Sequence, residues 1–190
     1  MNSTEANSAL QDPDALEDVA AFTSAQLRST FARFPTGIVA VCGMSDGNLA
    51  GMSVSSFVPV SLDPPLVAFC VQNSSTTWPK LAGLDALGIS VLGNAQGVAA
   101  RSLSNKGERF HGLTVHIDDD GAAFLEGSST WITCHPVQSI PAGDHTIELL
   151  EVRAIADQSD VEPLIFHAST FRSLQTEIAM DLDWLSEGWQ

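Results

Sequence analysis

The sequence predicts a mainly β chain, a closed antiparallel barrel with two or three helices added to it. Three observations lead there. About seven short runs have strand character, and short turn-rich links join them. Helical spacing is confined to two or three places. Helices are missing between most strands, which argues against a doubly wound parallel sheet. An apolar fraction of 44% in 190 residues is enough for one core. A single domain is therefore expected over residues 22–175, between a flexible acidic arm at 1–21 and an acidic tail at 176–190.

Taken in order, the arm is polar and acidic, with a short helical turn expected around Leu16–Ala20. Ser24 is a candidate helix cap. Leu27, Phe31 and Phe34 follow at helical spacing, which predicts a helix over Ala25–Arg33 that Pro35 stops. A strand is expected from Ile38 to Met44. Ser45-Asp46-Gly47-Asn48 is a hairpin turn, and Leu49–Val58 is the return strand. Leu66–Val71 is apolar without alternation, as in a central strand buried on both faces. Trp78-Pro79 starts a helix to about Leu84, with proline in the first turn, where it is tolerated. Leu87–Val91 alternates as a strand, and Asn94 can cap a helix from Ala95 to Leu103. Ser104–His116 has loop character. Short strands are expected at Ala122–Leu125 and Pro163–His167, and long ones at Thr130–Ile140 and His145–Ala156.

A net charge of −15 leaves no basic stripe for nucleic acid and no attraction to an anionic membrane surface. Any anionic ligand must be held by local donors. The 16% charged fraction is low and suggests surface covered by a second subunit. Cys42, Cys70 and Cys134 are widely spaced in apolar runs, with no CxxC pair, so reduced and buried core cysteines are expected. The N-terminal stretch lacks the pattern of a signal peptide, and no run reaches the length of a membrane span. A cytoplasmic protein is the expectation.

The chemistry concentrates between Ala50 and Trp78. Ser53-Val54-Ser55-Ser56 ends one strand, and Ser74-Ser75-Thr76-Thr77 precedes a helix. Small hydroxyl residues beside two strands let a flat apolar ligand approach the backbone. Hydroxyls and free N–H groups take its phosphate. The same residues also fit an edge strand of small side chains and a simple helix cap. Familiar alternatives are missing: no GxGxxG, no phosphate-binding P-loop, and no HExxH among five scattered histidines. Gly51-Met52-Ser53-Val54-Ser55 is a near miss to a nucleophile elbow, without its last glycine.

The order Phe34-Pro35-Thr36-Gly37, Gly51-Met52-Ser53-Val54-Ser55-Ser56-Phe57, Ser61-Leu62-Asp63-Pro64-Pro65-Leu66, Arg109-Phe110, Gly143-Asp144-His145-Thr146 resembles the flavin reductase family. These are the small reductase components of two-component flavin-dependent monooxygenases, and the resemblance spans residues 25–175. It implies a Greek-key split barrel that binds FMN, and a homodimer. It also implies that backbone N–H groups of Ser53–Ser56 face the isoalloxazine ring, with Met52 and Val54 packed on its faces. Ser75, Thr76 and Thr77 would receive the phosphate. The family often has Arg or Lys where this chain has Thr76, and Lys106 or Arg109 would supply the missing charge. Thr36 resembles a further flavin contact, and Ser90 stands where Asn is common. Phe110 either covers the flavin or packs in the core. His145 resembles the nicotinamide-side residue, or is a strand-end histidine with a structural hydrogen bond.

The function implied is an NAD(P)H-dependent flavin reductase that hands reduced flavin, FMN or FAD, to a partner monooxygenase. NADH is slightly favoured over NADPH because basic residues are scarce. Hydride transfer needs orientation more than a protein acid or base, so no catalytic residue and no metal ligand is assigned. Two rivals remain open on the residues: a flavin carrier or sensor on the same barrel that does not turn over NADH, and a split-barrel oxidase acting directly on a small substrate.

Overall fold

The computed structural model describes residue 16, residues 18–158 and residues 160–174. Most of the expected arm and the whole tail from residue 176 onward lie outside the described residues. A seven-stranded antiparallel sheet carries the fold, in the order β3-β2-β6-β9-β10-β5-β4. Its strands are β2 (Val39–Ser45), β3 (Asn48–Val54), β4 (Val58–Leu62), β5 (Pro65–Gln72), β6 (Leu87–Val91), β9 (Thr130–Ala142) and β10 (His145–Asp157). Two small sheets complete it. One joins β1 (Thr36–Gly37), β11 (Ile165–His167) and β12 (Thr170–Arg172), and the other pairs β7 (Val115–Ile117) with β8 (Ala123–Leu125).

The large sheet curls because alternate side chains from nearly every strand meet on one side. Val41, Val54, Val67, Phe69, Ile89, Ile132 and Leu150 form one buried cluster, drawn from six strands. That is the interior of a barrel. Burial of these side chains contributes about 1.5–3 kcal/mol each. The barrel is not zipped shut. Its edge strands β3 and β4 form no ladder with each other, although only Ser55, Ser56 and Phe57 separate them in sequence. The barrel is thus split, as the family resemblance implies, and the split lies where the chain leaves one edge for the other.

A second cluster covers the outer face of β2. Ile38, Ala40 and Cys42 pack there against Ala99, Ala100 and Leu103 of α3 (Gly97–Ser104) and against Ala123 and Leu125 of β8. Gly88 allows β8 to approach β6, since a Cβ there would fall 2.2 Å from the Ala123 carbonyl oxygen.

The helices depart from expectation at their ends. α1 (Ser24–Phe31) is capped by Thr23, whose hydroxyl accepts the Gln26 N–H while Gln26 answers to the Thr23 N–H, so Ser24 is the first helical residue and not the cap. α2 is a single turn, Trp78–Leu81. Asn94 begins a short 3₁₀ turn that leads into α3. The expected strand Leu49–Val58 breaks at Ser55, and its last residue already belongs to β4. The β4 run Val58-Pro59-Val60 could not be told from a continuation of the strand by its composition. The expected central strand at Leu66–Val71 is second from the sheet edge. Val67, Phe69 and Val71 point inward, but Cys70 and Gln72 are exposed.

Candidate functional site

A cleft of about 780 Å³ opens along the split in the barrel. Five segments wall it: Met52–Ser56 at the end of β3, Cys70–Gln72 of β5, the turn Ser74–Thr77, Ser104 to Arg109 after α3, and His145 at the start of β10. The expected residues Met52, Ser53, Val54, Ser55, Ser56, Ser75, Thr76, Thr77, Lys106 and His145 all line it.

One wall is the open edge of β3. The β2–β3 hairpin closes on the two-residue turn Asp46-Gly47, which makes Ser45–Asn48 a hydrogen-bonded pair and, alternating from it, Gly43–Ala50, Val41–Met52 and Val39–Val54 as well. The backbone of Met52 and Val54 is therefore turned toward β2. The intervening Gly51 and Ser53 direct their N–H and C=O groups to the unpaired side. The Gly51 carbonyl confirms the parity, because it accepts a hydrogen bond from outside the sheet, from Arg109 Nη1 at 2.8 Å. Among the described residues the Ser53 N–H thus has no strand partner, and Ser53 lines the cleft.

Most hydroxyls are already engaged in building the site. The Ser53 hydroxyl donates to the Ala100 carbonyl at 2.9 Å and meets the Ser104 hydroxyl, fastening β3 to α3. Ser56 Oγ accepts the Cys70 N–H at 2.9 Å and contacts the Cys70 carbonyl, so it stands in for the missing strand beside β5. Ser75 Oγ accepts the Trp78 N–H at 3.1 Å and so satisfies the first N–H of α2 from two residues before its cap, Thr77. Thr77 Oγ1 accepts from Arg109 Nη1 at 2.6 Å. The hydroxyls of Ser53, Ser56, Ser75 and Thr77 therefore position the backbone, while Ser55, Ser74 and Thr76 present theirs to the cleft.

Arg109 joins three segments. Besides Gly51 and Thr77 it donates from Nε to the Asn105 carbonyl at 2.7 Å. Its guanidinium and the Lys106 ammonium bring positive charge to the hydroxyl-rich turn, in a chain that is otherwise acidic. This places cations beside Thr76, where the sequence itself has an uncharged residue.

At the other end stands His145. Its Nδ1 lies 2.7 Å from Asp144 Oδ1, and the hydrogen bond together with the imidazole's charge holds the Asp144 carboxyl below the usual carboxylate range. An ionised carboxylate only accepts, so Nδ1 carries the proton and Nε2 is left for a ligand. Asn73 ties this corner to β5: its side chain donates to the Gly143 carbonyl at 3.2 Å and accepts from the Thr146 hydroxyl at 3.0 Å.

Three expected contacts lie elsewhere. Ser90 is fully buried, and its hydroxyl accepts the Leu125 N–H at 3.0 Å, so it holds β8 to β6 and does not reach the cleft. Thr36 sits in the small sheet opposite Phe166, and is not on the cleft wall. Phe110 packs on Gly51, where a Cβ would fall 2.7 Å from its ring, and lines an adjoining cleft. In the other direction, Cys70 is exposed on the cleft wall, whereas Cys42 and Cys134 are buried and burial pushes both thiols up to about 12. The expectation of three buried cysteines thus fails at Cys70. Its position between Phe69 and Val71 was the available signal, since inward-facing residues alternate with outward-facing ones along a strand. Gln72 was discoverable in the same way.

The residues present fit a flavin. A flat groove with an unpaired backbone edge lies at one end and donors with two cations lie at the other. The comparisons with known proteins agree. Residues 31–175 match the family model described as a flavin reductase like domain. A flavin reductase of Pseudomonas putida is 41% identical over 144 residues, covering 74% of this chain and 84% of that protein. The reductase subunit HsaB of a flavin-dependent monooxygenase from Mycobacterium tuberculosis is 28% identical over 160 residues, covering 83% and 86%. Among solved structures, the NADH:FAD oxidoreductase SgcE6 of Streptomyces globisporus C-1027 superposes with a TM-score of 0.77 at 30% identity, covering 85% of this chain and 99% of that one.

Proposed function

The chain belongs to the flavin reductase-like family, and on that premise we propose that it uses the cleft along the barrel split to reduce flavin with a reduced nicotinamide. The protein is an NAD(P)H:flavin oxidoreductase. One observation carries the assignment of the cleft: a single groove brings the open edge at Ser53, the donors of Ser74–Thr77 with Lys106 and Arg109, and the free face of His145 together.

A flavin held in this cleft would supply the hydride-accepting chemistry and a reduced nicotinamide the hydride, so the chain's own task is orientation. The residues orient. The Ser53 N–H and the bend at Ser55-Ser56 would hold the polar edge of the ring with half-buried Met52 beside it, whereas Val54, expected on the ring, turns its side chain into the barrel core. The hydroxyls of Ser74 and Thr76, with Lys106 and Arg109, hold the phosphate. His145 Nε2 accepts from the carboxamide of the nicotinamide, and Asp144 keeps the imidazole in that tautomer. Ser53, Ser56, Ser75 and Thr77 act through the backbone they fasten.

The partner is a flavin-dependent monooxygenase that consumes the reduced flavin, and the protein works in the cytoplasm. Two copies pair through the exposed apolar edge of β4. Val58, Val60 and Leu62 are 49%, 52% and 79% exposed there, and Val137 and Ile140 of β9 are also exposed. No helix among the described residues is long and apolar enough to cross a membrane.

Purified protein mixed with NADH and catalytic FMN or FAD should bleach the nicotinamide absorbance through many turnovers. Flavin binding without turnover would make the protein a carrier and defeat the proposal.

A further inference from the structure

We propose that this protein takes FAD in preference to FMN, holding the adenylate half in a second cleft that opens from the phosphate end of the first. The inference rests on the flavin reading above and extends it to the class of flavin.

The second cleft measures about 620 Å³ and lies between the start of β3, α2 and the loop after α3. It shares Thr76, Thr77, Lys106 and Arg109 with the first cleft, but none of Ser53–Ser56, Cys70 or His145. The two clefts therefore meet where the phosphate is held, away from the nicotinamide end. Each has the volume of a ligand pocket by itself. A flavin mononucleotide ends at its phosphate and leaves the second cleft unused. A flavin dinucleotide continues through a second phosphate to a ribose and a flat base.

The lining suits that continuation. Lys80, Lys106 and Arg109 are three of the eight lysines and arginines in a chain of net charge −15, and all three line this one cleft. Neither Lys80 nor Lys106 has a carboxylate partner among the described residues. Among the described residues Glu108 is the one carboxylate on the wall. Its side chain is 91% exposed and lies 4.0 Å from His111 Nδ1. Unpaired cations gathered in an acidic protein favour an anion there. Phe110 supplies a half-buried aromatic surface on the same wall, suited to a stacked base. Cations beside an aromatic ring, continuous with a phosphate site, match the second phosphate and adenine of FAD.

Titration of the full chain with FAD, FMN and riboflavin, read by flavin fluorescence, gives the ratio of FAD to FMN affinity. The ratio is expected to be about fivefold or more in favour of FAD, as one or two partly exposed charge-assisted contacts to the second phosphate provide. Lys80→Glu and, separately, His111→Glu should pull it toward unity. Both positions are exposed, so the fold is kept. A wild-type ratio near unity, or one that neither substitution moves, overturns this inference and leaves the flavin assignment standing. If Lys80→Glu instead alters only the NADPH to NADH ratio of kcat/KM, the cleft serves a nicotinamide phosphate and the inference falls. Failure of all three flavins to bind would overturn both readings.

Discussion

Arg109→Ala removes the side chain that joins the open edge of β3 to the turn before α2. Three acceptors lose their donor: Gly51 O at 2.8 Å, Thr77 Oγ1 at 2.6 Å and Asn105 O at 2.7 Å. A hydrogen bond from a charged group contributes about 1.5–3 kcal/mol when buried. Arg109 is half-buried and water reaches the cleft, which reduces each of the two long-range bonds to about 1 kcal/mol. The loss is then about 2 kcal/mol, and at this chain length the melting temperature should fall by roughly 4–8 °C. Loss of the charge beside Thr76 should weaken FMN more than riboflavin, which lacks the phosphate. A contact of about 1 kcal/mol corresponds to about fivefold in that ratio. Arg109→Lys separates the two effects. The ammonium keeps the charge but not the planar fork, so most of the FMN preference should return while the melting temperature stays low. Thermal unfolding with parallel flavin titrations reads both quantities. If Arg109→Ala leaves the melting temperature in place, or weakens riboflavin as much as FMN, Arg109 is neither the clasp nor the phosphate contact described.

His145→Ala should raise KM for NADH several-fold while changing flavin affinity little; the opposite pattern in steady-state kinetics would put His145 on the wrong side of the ring. Thiol titration of the native protein should find one fast cysteine, Cys70, slowed by saturating FMN, with Cys42 and Cys134 reacting only on unfolding. Ser90→Ala leaves the buried Leu125 N–H without an acceptor and should cost about 1–3 kcal/mol in denaturant unfolding, with flavin affinity unchanged. The depressed Asp144 carboxyl adds stability that is present above the ordinary carboxylate range and disappears as pH falls through its lowered value. Asp144→Asn should therefore lower the neutral side of the thermal-stability profile slightly, leave its acid end alone, and so flatten the step between them.

Turn chemistry and strand alternation made most of the barrel legible in the sequence. Asp46-Gly47 closes the β2–β3 hairpin, with both residues at positive φ, and Gly143 closes β9–β10. The gathering of the two hydroxyl clusters was also legible, because they flank strands that end on the same side of the sheet. Three things were not. The break at Ser55 was hidden because Val58-Pro59-Val60 continues the apolar character of the strand before it; only the pairing of β4 with β5 separates the two. The fate of Ser90 was hidden because a serine in an alternating strand has no mark that tells a ligand contact from an anchor for a distant backbone N–H. The use of individual hydroxyls was hidden for the same reason. Ser53 and Ser56 are as small and polar as Ser55, but they meet Ala100 and Cys70, partners 47 and 14 residues away in sequence.

That division among the hydroxyls bears on how tightly a flavin can be held. Groups already engaged with the backbone cannot strengthen their grip on a ligand without releasing the scaffold. What remains for the ring is a strand edge that water also satisfies, and exchanging water for a ligand at such an edge nets only about 0.5–1.5 kcal/mol per hydrogen bond. The phosphate contacts come from exposed Lys106 and half-buried Arg109, where solvent screening weakens an ion pair. Rigid positioning with modest affinity follows from the same architecture. Positioning serves the hydride step, which depends on the distance and stacking of two rings. Modest affinity serves departure of the reduced flavin to a separate oxygenase. A carrier built on this barrel would need the opposite balance, with free hydroxyls closing on the phosphate and the β3 edge covered.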